Sequence, residues 1–240
     1  MKPKYKPTKN IQIAIDGPAG AGKSTIARLL SKQLSITYID TGSMYRTVAL
    51  IAQRNSIEFT NEKELIPLLK KSKISLYPPK NNSRFCTVML DNKDVTKELR
   101  SEKISWGASS VATLPRVRKH LVNLQKTMAK KQSVVMEGRD ITSVVLPKAD
   151  IKIFMTASVE SRAKRRHIEL SKKGTKQSFP ATLKQTKKRD QQDSGREADP
   201  LKIVPGAWLL KTTKLTINQV VEAIIKKLLH LKLINHTSKV

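Results

Sequence analysis

The chain has 240 residues, one cysteine and a formal charge of +28, with 47 lysines and arginines against 19 aspartates and glutamates. This length suits one well-buried α/β unit with an insertion better than two independent domains, and a single cysteine excludes an intrachain disulfide framework and fits a reducing compartment. No stretch approaches the ~20 apolar residues of a membrane span, so a cytoplasmic protein with no membrane partner is expected.

Such a positive field concentrates anions, whether nucleotides or nucleic acid. Lysines far outnumber arginines and are scattered, and only 4% of residues are aromatic. A solvated, lysine-rich surface therefore explains most of the charge; nucleic-acid binding is compatible with it but is not predicted.

Residues 1–10 are lysine- and proline-rich and are expected to form a basic tail. Residues 11–25 then read as a buried strand, a glycine-rich loop and the start of a helix. Gly17, Pro18, Ala19, Gly20, Ala21, Gly22, Lys23, Ser24 and Thr25 fit G-x-x-x-x-G-K-[ST], in which small residues let backbone N–H groups turn inward around phosphate oxygens. In that pattern Lys23 reaches the β/γ-phosphates and the Ser24 hydroxyl faces Mg²⁺. Ile26, Leu29, Leu30 and Leu34 follow at helical spacing, which places the positive end of a helix dipole beneath the phosphates. A short β-branched run, residues 36–40, leads into Asp40-Thr41-Gly42-Ser43, a helix cap for Met44 to Arg54. Strand, loop, helix and strand imply a parallel sheet with ligands at the carboxyl ends of its strands.

Asp40-Thr-Gly-Ser-Met-Tyr-Arg46 after a GPAGAGKST loop resembles the bacterial-type cytidylate kinases, which are nucleoside monophosphate kinases. The resemblance runs from about residue 11 to about residue 230. It implies an α/β fold: a P-loop kinase core with a parallel sheet, an inserted antiparallel monophosphate-binding subdomain and a short lid. It also implies transfer of the γ-phosphoryl group of ATP, with Mg²⁺, to CMP and dCMP; a monomer is expected, though no pattern in the chain bears on oligomeric state.

Residues 56–107 do not continue the strand–helix alternation. A helical run from Asn61 to Lys71 precedes two strand-like runs, Ile74 to Tyr77 and Arg84 to Asp91, which alternate as partly exposed antiparallel strands do. They are separated by a Pro-Pro-Lys-Asn-Asn turn, and Asp91-Asn92 marks a second turn. On pattern alone this is equally an ordinary structural excursion; the resemblance makes it part of a monophosphate-binding insertion at about 41–107. Cys86 lies in the second run, where a packed, inert thiol is expected.

A helical stretch from Glu98 to about Thr113 meets Pro115, which disfavours helix at Leu114. Ser109 and Arg118 are nine residues apart, half a turn out of phase on one continuous helix. A break lets both point into one pocket. Arg116 and Arg118 fall on opposite sides of the second helix, and the resemblance selects Arg118.

Residues 133–136 read as a buried strand ending in Glu137-Gly138-Arg139-Asp140, similar to the family's E/D-G-R-D motif. The family continues with Ile-Gly-Thr, whereas this chain has Ile141-Thr142-Ser143; a positive φ at that glycine would strain Thr142. After a further strand at 151–155, Arg162, Arg165 and Arg166 share one helical face. By resemblance they form the base of a lid spanning about 160–188, with its tip at 172–180. Arg189, Asp193 and Arg196 line one side of the returning helix. From Asp199 to Leu215 the match weakens, notably at Val204 to Trp208 and Lys211. Thr216 to Leu229 is a closing amphipathic helix. One domain is expected at 11–232, followed by a frayed C-terminal tail at 233–240.

The roles implied by the resemblance fall into two halves. Residues 17–25 with Arg162 and Arg165 bind ATP, and Ser24 contacts the metal. Lys23, Arg139, Arg162, Arg166 and Arg196 stabilise the transferred group. For the acceptor, Arg46, Arg139 and Arg196 hold the α-phosphate and Arg189 and Asp193 hold the pentose. Ser109, Arg118 and Asp140 read cytosine, and Thr41 completes the set.

Overall fold

The computed structural model describes residues 4–78, 86–130, 132–172 and 174–237. A short strand β1 (Tyr5–Pro7) precedes β2 (Gln12–Asp16), which is buried along nearly its whole length. Helix α1 (Lys23–Leu34) starts at Gly22, whose left-handed backbone (φ 94°) turns the chain from loop to helix. Its buried residues Ile26, Ala27, Leu30 and Leu34 share the stripe read from the sequence. β3 (Thr37–Asp40) feeds directly into α2 (Thr41–Arg54), so Thr41 and Gly42 form the first helical turn. The Asp40 carboxylate caps it by accepting from the Ser43 N–H.

The insertion follows: α3 (Glu62–Lys71), then β4 (Ile74–Tyr77), β5 (Thr87–Leu90) and β6 (Lys93–Asp94), paired antiparallel in that order. Asp91 and Asn92, both at positive φ, make the tight turn between β5 and β6. Most of the expected proline-asparagine turn and the start of the second run, residues 79–85, lie outside the described residues. The stretch read as one helix from Glu98 is a 3₁₀ turn (Glu98–Arg100) followed by α4 (Glu102–Val111), which the Ser101 hydroxyl caps. Pro115 opens α5 (Pro115–Ala129), and Leu114 before it is extended.

β7 (Val134–Gly138) and β8 (Ile151–Thr156) flank β2 in a parallel sheet of order β3-β7-β2-β8-β9. Between them residues 141–145 form a single π-helical turn. Thr142 has no positive φ, so the strain expected of it is absent. Instead the Ile141 and Thr142 N–H groups and the Thr142 hydroxyl all donate to the fully buried Asp16 carboxylate at 2.6–2.9 Å. The wide π turn leaves its first N–H groups in need of an acceptor, and the Asp16 carboxylate supplies it.

α6 (Val159–Lys172) and α7 (Phe179–Gly195) form a helical hairpin in the region expected as the lid. β9 (Trp208–Lys211) is the parallel edge strand and was not evident in the sequence; α8 (Ile217–His230) closes the chain with a capping box at Thr216 and Gln219. The expectation of loose ends is corrected by β10 (Ile234–His236), which pairs antiparallel with β1. Ile234 of β10 is buried in the core formed by α1, α8 and the sheet, and Tyr5 of β1 packs against the same core. A second core lies within the insertion and α2, and a third between the sheet, α5 and the π turn. Cys86 is packed in the second, and burial pushes its thiol up to about 12. Among the described residues, no helix is long and apolar enough to cross a membrane.

Candidate active site

The carboxyl ends of β2, β3 and β7 open into a cavity of about 720 Å³ bounded by α2, α4 and the α6–α7 hairpin. Parallel strands, whose successors start as helices, deliver loops to this one edge. All the residues expected in the site line this cavity except Gly17 and Pro18, whose carbonyls accept from Lys23. Lysines and arginines outnumber carboxylates around it.

At the loop, the Lys23 ammonium donates to the Gly17 and Pro18 carbonyls at 2.7 and 3.0 Å. Burial and then the neighbouring Arg139 push its pKa down to about 7, against the pull of Glu137, Asp193 and Asp16. Ser24 Oγ donates to Glu137 Oε1 at 2.8 Å, and the Tyr38 hydroxyl lies 3.4 Å from the same oxygen. Burial, then Asp40, raises the pKa of Glu137. Glu137 was read only as part of a motif; β7 pairing beside β2 is what brings it to Ser24.

The hairpin reaches the loop through its arginines. Arg162 makes a bidentate pair with Asp190 of α7 (2.9 and 2.7 Å) and donates to the Ala19 carbonyl at 3.1 Å. Arg165 donates to the Thr212 carbonyl at 2.9 Å, and Arg166 pairs with Glu102 of α4 at 3.5 Å and with Glu169 at 3.3 Å. Lys188 of α7 sits over the half-exposed Trp106 ring of α4 at 5.1 Å.

The remainder of the cavity wall is equally knit. The break at Pro115 puts Arg118 in the interior, 2% exposed, and leaves Arg116 outside. Arg118 donates through Nη2 to Asp140, through Nε to Asp199 and through Nη1 to the Ala112 carbonyl. Burial opposes its charge, but Tyr45, Asp140 and Asp199 hold its pKa above the ordinary value. The Ser109 carbonyl accepts from Gln192 of α7. Arg139 Nε donates to Asp193 at 2.6 Å; burial works against Asp193, yet Arg139 and Arg189 hold its carboxyl below the usual range. Arg189 Nε is buried with no hydrogen-bond partner among the described residues, and burial, then Arg139, lowers its pKa to about 10. Arg196 donates twice to the Asp199 carbonyl, at 2.9 and 2.5 Å. Arg46 and Thr41 line the same wall. Asp16, Asp190 and Asp199 were not singled out in the sequence, because each meets its arginine or backbone partner only through the fold.

A family model described as cytidylate kinase matches residues 13–230. The chain belongs to the cytidylate kinase family. Among its relatives, the cytidylate kinase of Caldanaerobacter subterraneus subsp. tengcongensis is 48% identical over 89% of this chain and 92% of its own length. That of Geobacillus sp. is 45% identical over 90% of this chain and 96% of its own. Residues of the loop, of the Asp40–Arg46 segment and of Glu137–Asp140 all line the one cavity. Among solved structures, an uncharacterized protein from Eubacterium ventriosum superposes with a TM-score of 0.51 at 14% identity, covering 90% of this chain and 97% of that one, a likeness of fold alone.

Proposed function

We propose that the protein transfers the γ-phosphoryl group of ATP to CMP, and to dCMP, giving ADP and CDP or dCDP, as a cytoplasmic monomer. One observation carries the reading: cations are crowded into a buried cavity. Lys23, Arg189, Arg196, Arg165 and Arg100 all have their pKa lowered, by burial first and, in each case, by a neighbouring cation as well. Polyanions at both ends of the cavity would relieve that repulsion, and phosphoryl transfer needs two anionic substrates held in line with the moving charge offset.

In this reading ATP lies along Gly17 to Thr25, with Lys23 on the β/γ-phosphates and Arg162 and Arg165 closing over them. The acceptor α-phosphate sits between Arg46, Arg139 and Arg196, whose planar forks suit a phosphate better than lysine would. Arg189 and Asp193 hold the pentose. Ser109, Arg118 and Asp140 face cytosine: Asp140 accepts from the 4-amino group and Arg118 donates to O2 and N3. Thr41 shapes the same wall by donating to the Glu137 carbonyl. The acceptor phosphate is already an oxyanion, so no general base is required. Arg166 and Arg162 stabilise the transferred group as the hairpin excludes water.

The residues present also fit Mg²⁺. Among the described residues there is no cluster of three or more metal-ligating side chains, and Mg²⁺ asks for less: one or two carboxylates or hydroxyls together with substrate phosphates. Ser24 and Glu137 would hold it, and when bound it would offset charge on the β- and γ-phosphates.

A coupled assay with CMP, dCMP, UMP and AMP tests the assignment. CMP and dCMP are expected to turn over far faster than AMP, and Arg118→Ala should raise KM for CMP with little change for ATP. Comparable use of AMP, or equal damage to both substrates, would overturn it.

A further inference from the structure

Asp199 lies just beyond α7, and none of the functional patterns in the sequence marks it. Its backbone is left-handed (φ 50°), an unusual conformation that Asp and Asn adopt more readily than other non-glycine residues. It touches the acceptor half twice. The carboxylate accepts from Arg118 Nε at 3.0 Å, and the carbonyl accepts from Arg196 Nε and Nη2. Arg118 is thereby gripped on all three nitrogens: Asp199 on one side, Asp140 on another and the Ala112 carbonyl on the third. Two of those groups come from distant parts of the chain, so the plane of the guanidinium is fixed before any ligand arrives.

Asp199 itself does not line the cavity, while Arg118 and Arg196 do. We propose that Asp199 is a positioning residue for cytidylate recognition: its carboxylate fixes the guanidinium plane of Arg118 and its left-handed carbonyl fixes Arg196, setting the distance between base and phosphate contacts. This rests on the function proposed above. It goes further in assigning base selectivity to a residue that touches no substrate. A guanidinium released on its Nε edge can swing to face the carbonyl of uracil as readily as the cytosine edge, so loss of Asp199 relaxes the choice of base as well as weakening binding.

Two substitutions separate the contributions. Asp199→Gly keeps the positive φ, and so the carbonyl contact to Arg196, while deleting the carboxylate. Asp199→Asn keeps both the backbone preference and an acceptor for Arg118. In Asp199→Gly, KM for CMP should rise about tenfold, the size expected of one lost hydrogen bond to a charged group. KM for ATP should be unchanged, and the ratio of kcat/KM for CMP over UMP should fall. Asp199→Asn should recover most of both effects. An unchanged KM for CMP in the glycine variant overturns the proposal, as does a parallel rise for CMP and ATP with an unchanged base ratio. If wild-type protein does not turn over CMP, the function itself fails and takes this role with it; wild-type turnover with an indifferent glycine variant removes only the role of Asp199.

Discussion

The Lys23 ammonium is caught between burial, which drives it toward the neutral form, and the carboxylates around it, which favour its charge; the net result is a pKa of about 7 against an ordinary 10.5. A lysine depressed in this way binds its proton less tightly folded than unfolded. Stability should therefore rise with pH between about 7 and 10.5, where the unfolded chain holds a proton that the folded one has released. ATP phosphates placed on the ammonium reverse the balance, so ATP binding at pH 8 should take up protons, approaching one per molecule bound. Isothermal titration in buffers of different ionisation enthalpy measures this directly, and buffer-independent heats would contradict it. At this scale the sequence was legible where chemistry and spacing coincide: Lys23 and Arg139 are recognisable from their motifs, while the Pro115 break allows Ser109 and Arg118 to share one pocket and the resemblance selects Arg118. Asp16, Asp190 and Asp199 were not, nor was the reach of Glu137 to Ser24, because a carboxylate acquires its meaning from a partner that can lie over a hundred residues away, as Asp16 does from the Ile141 N–H.

Among the elements, the junction of β2 with its loop is the least forgiving. Gly17 has φ 146°, and a Cβ built there would lie 1.9 Å from the Met155 carbonyl of β8. Gly22 has φ 94° with nothing within 4 Å of such a Cβ. Two glycines of one motif are thus required for different reasons, the first for space as well as backbone conformation and the second for backbone conformation alone. Gly17→Ala should cost about 3 kcal/mol or more because a neighbouring strand must move, whereas Gly22→Ala should cost about 1–2 kcal/mol of left-handed strain. Urea denaturation of the two variants measures the difference. Elements with local signals could be read from the chain: α1 from its apolar stripe, the α4–α5 break from Pro115, the β5–β6 turn from Asp91-Asn92. β9 and the β1–β10 pair could not, since each is a short strand whose identity depends on a neighbour distant in sequence.

For the whole molecule the dominant fact is the charge of +28. Self-repulsion on this scale opposes compactness, while the same field draws in anionic ligands. Salt shortens the range of both effects, the Debye length falling to about 8 Å at 0.15 M. Raising NaCl from about 0.05 to 0.3 M should therefore raise the Tm and, at the same time, raise KM for ATP and CMP. Thermal melts and initial rates across that range check the pair of trends; a KM that falls with salt would show that long-range attraction has no part in capture. The parallel sheet was legible from the βαβ start and the antiparallel strands from their alternation, whereas that alternation fits an ordinary structural excursion equally well and only the resemblance made it an insertion. The cavity was legible only in its parts, since its volume arises from how α4 and the α6–α7 hairpin face each other.

The stacking of Lys188 on Trp106 joins α7 to α4 across the cavity mouth. It gives the molecule an optical reporter that needs no label. A change in the separation of hairpin and insertion alters the field at the indole, and with Trp208→Phe removing the other indole, emission at Trp106 becomes a single-site record of how the two walls move.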